Sequence, residues 1–109
     1  CLEERLMDAG SAVSGCGPAF VYLFLEAMAD GGVACGLPRS KAQQYAAQTV
    51  LGAARLLQET AQLPGALKDA VCSPGGSTIA GVHALERAAF RSAVMDAVQA
   101  AFEKTKALK

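Results

Sequence analysis

At 109 residues the chain is the size of one folding unit, too short for a second full domain and long enough to bury roughly 65% of its extended surface. With Gly counted among them, 66 of the 109 residues are apolar and only 18% are charged, against a usual share of about half and about a quarter. Ten Lys and Arg balance ten Asp and Glu, so there is neither the basic surplus that neutralises phosphates nor an acidic tail, which argues against a nucleic-acid module.

Alanine supplies 23 residues while Val, Ile and Thr together supply 13. Alanine loses no rotamer freedom in a helix and β-branched side chains do, so the predicted fold class is all-α. Glycine and proline clusters cut the chain into about six helices, with Pro18, Pro38 and Pro64 each suited to a first helical turn. The first is a short helix near Glu3 to Val13. The second, near Pro18 to Val33, runs Ala19, Phe20, Val21, Tyr22, Leu23, Phe24, Leu25 and is apolar on every face, as in a helix buried at the centre of an assembly.

The third helix, near Pro38 to Thr60, repeats Ala42, Tyr45, Ala46, Val50, Ala53 and Leu57 close to a 3.6 period, with Ala47, Gly52 and Ala54 widening the stripe. Its length would be about 34 Å, whereas a compact monomer of this size has a radius of gyration near 13 Å. A homodimer of interlocked helices is therefore expected, with a monomeric bundle as the alternative. A short helix near Gly65 to Val71 follows, and a pair of helices spans Ser77 to Leu108. Lys104, Lys106 and Lys109 at the end fit the negative pole of the last helix.

Four cysteines, Cys1, Cys16, Cys35 and Cys72, lie far apart without a CxxC, and His83 is the only histidine. The pattern indicates neither a metal site nor a disulfide framework, and points to reduced thiols in the cytoplasm. The longest apolar run, Ala19 to Leu25, has seven residues where a bilayer needs about 20, so a soluble protein without a membrane partner is expected.

Chemistry concentrates in Cys72-Ser73-Pro74-Gly75-Gly76-Ser77-Thr78, a glycine loop that enters a helix. Two glycines permit positive φ and remove bulk, so successive N–H groups can face an anion at the positive helix end. The hydroxyls of Ser73, Ser77 and Thr78 can hold a ligand or simply cap the helix, and both readings stay open here. A phosphate-binding P-loop is rejected because no lysine lies between Lys68 and Lys104; a small carboxylate suits the loop better.

The second glycine cluster, Ser14-Gly15-Cys16-Gly17-Pro18-Ala19-Phe20, matches GxGxxG only in its first half and follows no strand, so it reads as a kink between helices. Cys16 reads as a packing thiol and His83 as a half-exposed helical histidine without the elbow or acid of a hydrolase. Glu26 and Asp30 read as the polar edge of an apolar helix.

Together, SGCGPA at Ser14 to Ala19, Ala29 to Gly36 with Leu37-Pro38-Arg39, QTVLGAA at Gln48 to Ala54, Pro64-Gly65 with Leu67-Lys68-Asp69, and SPGGSTIAG at Ser73 to Gly81 with Leu85-Glu86 resemble the C-terminal domain of pyrroline-5-carboxylate reductase. The resemblance covers nearly the whole chain, and its signature is the SPGG-x-T-I-A-G block. It implies an oxidoreductase of proline biosynthesis that reduces the C=N bond of 1-pyrroline-5-carboxylate to L-proline with NADPH or NADH. It also implies a dinucleotide-binding domain preceding residues 1–109, and a helical dimerisation and substrate-binding domain whose dimers can assemble into rings.

Carried over by position, the resemblance makes Ser73, Gly75, Gly76, Ser77 and Thr78 the substrate-carboxylate loop, with Thr78 bonding the ring nitrogen as the catalytic residue. It makes Gly17, Pro18 and Ala19 the lining beneath the nicotinamide. Cys16 and Cys72 stand where the family favours hydroxyls. With no convincing general acid in the sequence, the proton is expected from the substrate iminium or water, and residues 1–109 alone are expected to be inactive. The alternative is a non-catalytic dimerisation module in which SPGGST only caps a helix.

Overall fold

A computed structural model describes residues 3–108. Cys1 and Lys109, named above among the thiols and the C-terminal lysines, lie outside the described residues. A 3-10 turn at Glu4–Leu6 leads into six α-helices: α1 Met7–Ser14, α2 Gly17–Ala34, α3 Arg39–Thr60, α4 Pro64–Ala70, α5 Ser77–Arg87 and α6 Phe90–Ala107. The all-α expectation holds, and the boundaries fall within a few residues of those read from glycine and proline. Of the three prolines, Pro64 opens its helix and Pro18 is the second residue of α2, but Pro38 stands one position earlier than expected, as the extended N-cap of α3 (φ −60°, ψ 145°).

The chain forms two compact units, one running to Phe24 and resuming at Ala89, the other Leu25–Ala88. In the first, α1 packs on α6. A small residue of α1, Ala12, is fully buried, and α1 ends at Gly15, whose N–H donates to the Ser11 carbonyl at 2.8 Å. A Cβ at Gly15 would stand 2.9 Å from that same oxygen. The rings of Phe24 and Phe90 meet at 5.8 Å between centroids, within the range of favourable aromatic pairs. Lys104 and Lys106 occupy the last turn of α6, and the Lys106 ammonium lies 5.2 Å from the Phe102 ring centroid.

In the second unit, Ala29 of α2 and Ala42 and Ala46 of α3 form the core, with Leu25 and Val33 against it. Close helix approach depends on a small residue, since a Cβ at Gly32 would press on Leu37 and on Ala42 at 3.2 and 3.3 Å. The turn between α2 and α3 is a Schellman closure: the Gly36 N–H donates to the Val33 carbonyl and the Leu37 N–H to the Gly32 carbonyl, both at 2.9 Å, with Gly36 at φ 109°. Asp30, expected only as a polar edge, accepts a hydrogen bond from Arg39 at 2.6 Å and so ties the two ends of this turn. Both side chains are largely exposed, so the pair fixes geometry more than it adds stability.

Burial within the single chain is slight, as a helix destined for the centre of a larger assembly allows. No side chain larger than alanine is fully buried among the described residues. The helix predicted to be buried, α2, buries Ala29 alone, and its Tyr22 and Leu23 are each 65% exposed. On α3 the predicted stripe is used at Ala42 and Ala46, Val50 and Leu57 are half-buried, and Tyr45 is 55% exposed. Met7–Ala34, taken as one stretch, also has the length and apolar composition of a membrane span, which the seven-residue run did not foretell. Acidic Asp8, Glu26 and Asp30 lie along it, and Gly15 divides it into α1 and α2.

Candidate functional site

The loop between α4 and α5 is built by its own chemistry. Lys68 closes α4 against Asp69 at 3.1 Å, and the Val71 and Cys72 N–H groups bond back to the Lys68 and Asp69 carbonyls, ending the helix. Ser73 to Gly76 then make a tight turn, the Gly76 N–H donating to the Ser73 carbonyl at 3.1 Å. Pro74 presets φ at the second position and Gly75 takes φ 67° at the third, the pattern of a type II turn.

Gly76 leaves room for the Ser73 hydroxyl rather than supplying a special φ. Its own φ of −83° suits any residue, but a Cβ there would stand 2.5 Å from the Ser73 Oγ and 3.3 Å from the Ser73 carbonyl oxygen. One glycine supplies a backbone conformation and the next supplies space, which the sequence alone did not separate.

Helix α5 begins at Ser77 with Gly76 as its N-cap and no side-chain cap hydrogen bond. The reading in which a hydroxyl of this loop caps the helix is therefore corrected: Thr78 lies at the second helical position, past the point from which a cap acts. The Ala80 N–H donates to the Gly76 carbonyl at 3.4 Å, which leaves the N–H groups of Ser77, Thr78 and Ile79 outside the helix's own ladder. Ser73, Ser77 and Thr78 are exposed and Gly76 is half-buried. The result is a short row of amides at a positive helix end with hydroxyls beside it, chemically suited to a carboxylate.

Gly17, Pro18 and Ala19 form the first turn of α2, in the unit made by the chain ends, whereas the Ser73 to Thr78 loop belongs to the other unit. Nothing lies within 4 Å of where a Gly17 Cβ would stand, so the backbone there is open to a flat group. Cys16 is half-buried, its N–H bonded to the Ser11 carbonyl and its carbonyl accepting from the Ala19 N–H at 3.2 Å. Cys35 is exposed, Cys72 half-buried, and both are free thiols. His83 stands exposed on α5.

Residues 4–108 match the family model described as pyrroline-5-carboxylate reductase dimerisation. Among curated proteins the chain is 57% identical over 107 residues to a pyrroline-5-carboxylate reductase of Synechocystis, covering 98% of this chain and 40% of that protein. It is 52% identical over 107 residues to the enzyme of that name from Escherichia coli, with the same two coverages. Among solved structures, the 1-pyrroline-5-carboxylate reductase of Streptococcus pyogenes superimposes with a TM-score of 0.95 at 41% identity, over 98% of this chain and 41% of that one. A Plasmodium falciparum pyrroline carboxylate reductase with NADP bound gives 0.93 at 44% identity, over 97% and 43%. The chain thus spans about 40% of the length of the curated relatives it matches.

Proposed function

The chain belongs to the pyrroline-5-carboxylate reductase dimerisation family, and from that premise we propose that it is the helical, substrate-binding part of a cytoplasmic oxidoreductase that reduces 1-pyrroline-5-carboxylate to L-proline with NADPH or NADH. The observation that carries the substrate role is the start of α5, which no side chain caps and whose leading turn carries glycine at both positions nearest it. The substrate carboxylate fits the N–H groups of Ser77 and Thr78, with the Ser73 hydroxyl and the Gly75-Gly76 backbone completing the cradle. Fixing that end of the ring aligns the C=N carbon for attack.

Thr78 is placed one residue into the helix, where its hydroxyl can hydrogen-bond the ring nitrogen. A neutral hydroxyl orients the imine without demanding a shifted acid, and the nitrogen's proton comes from the iminium form or from water. When bound, the reduced nicotinamide supplies the hydride. The open backbone at Gly17 accommodates a flat ring, with Pro18 and Ala19 beside it, while most contacts to the dinucleotide are assigned to residues outside this chain.

A second copy of the chain is proposed as the partner that covers α2 and α3, a reading supported by the exposure of Tyr22, Leu23 and Tyr45 and of Leu51 at 57%. Assembly of dimers into rings belongs to the same proposal. Titration of the full-length protein with L-proline, followed through the backbone amide signals of residues 75 to 79, tests the site. Shifts concentrated at Ser77 and Thr78 and lost in a Thr78→Val, Ser73→Ala variant are expected. Saturable proline binding that leaves those amides unmoved would overturn it.

A further inference from the structure

We draw no further inference here: the strongest candidate, the exposed apolar surface patch contributed by Met7 and Val13 of α1 and Val94 and Met95 of α6, carries nothing because nothing in the structure shows what covers it.

Discussion

Gly75 and Gly76 are adjacent and differ in what they tolerate. In the full-length protein, Gly75→Ala should cost about 1 kcal/mol for holding an L-residue at positive φ, and Gly75→Asn should cost less, because asparagine visits that region more readily. Gly76→Ala must instead displace Ser73 from the position it holds 2.5 Å from the new methyl, so a rise in KM for pyrroline-5-carboxylate of at least about 10-fold is expected, the equivalent of about 1.4 kcal/mol. Melting temperature and steady-state kinetics on the three variants check both statements, and a Gly76→Ala enzyme with an unchanged KM would remove Ser73 from the cradle. For Thr78, a hydrogen bond to a charged partner contributes about 1.5 to 3 kcal/mol, so Thr78→Ala and the shape-preserving Thr78→Val should lower kcat/KM roughly 10- to 100-fold while Thr78→Ser retains most of it. Because Gly76 and not Thr78 is the N-cap, Thr78→Ala should shift stability by less than about 0.5 kcal/mol, since alanine is also the better helix former. The loop was legible in the sequence because SPGG can hardly be anything but a turn. What was not legible is the contact between a Gly76 Cβ and the Ser73 hydroxyl, since it depends on the rotamer of Ser73.

The helix ends show which signals a sequence carries. Gly36 and Pro38 mark the α2 to α3 turn, and the hydrogen bonds of a Schellman closure are found there. Two other ends carry no signal. Ala61 closes α3 at φ 54° and Ala89 opens α6 at φ 59°, both in the left-handed region that alanine enters at a cost. The pair of helices from Ser77 to Leu108 was expected, but Ala88-Ala89 is a pair of the best helix formers, so nothing local placed the break between them. Phe90, the first residue of α6, sets its ring 5.8 Å from that of Phe24 at a 45° tilt, a contact that no local signal announces. At Ala61 the expected remedy is simple. Ala61→Gly should raise stability by about 0.5 to 1 kcal/mol, relief of the left-handed alanine exceeding the added chain entropy, and Gly36→Ala should lower it by about 1 kcal/mol. Thermal unfolding of both variants measures the two signs, and a destabilised Ala61→Gly would show that the α3 terminus is held by contacts other than its φ.

For the whole molecule the deciding quantity is what stays outside the core. In a chain in which 66 of 109 residues are apolar, Ala12, Ala29, Ala42 and Ala46 are the buried core among the described residues, and an alanine contributes far less on burial than the roughly 1.5 to 3 kcal/mol of a fully covered Leu or Phe. The apolar excess that the composition announced is therefore not discharged within one copy, which explains why α2 was legible as a buried helix and yet is exposed here. Leu51 and Leu56 project from α3, a helix about 33 Å long, and Tyr22 and Leu23 from α2. Covering such side chains with a second copy makes folding and association one process, so the melting temperature should rise with protein concentration, as it does for obligate dimers. Residues 1–109 expressed alone should sediment at twice the chain mass of 11.1 kDa. Charging two exposed leucines while sparing the alanine core separates dimer loss from a general packing defect: Leu51→Lys with Leu56→Lys should shift the species toward monomer and lower the melting temperature by several degrees. Gln43→Lys, at an exposed position past the first turn of the same helix, should leave both unchanged. A folded monomer at micromolar concentration, with a melting temperature independent of concentration, would show that these side chains are covered in some other way and would remove the second copy from the account.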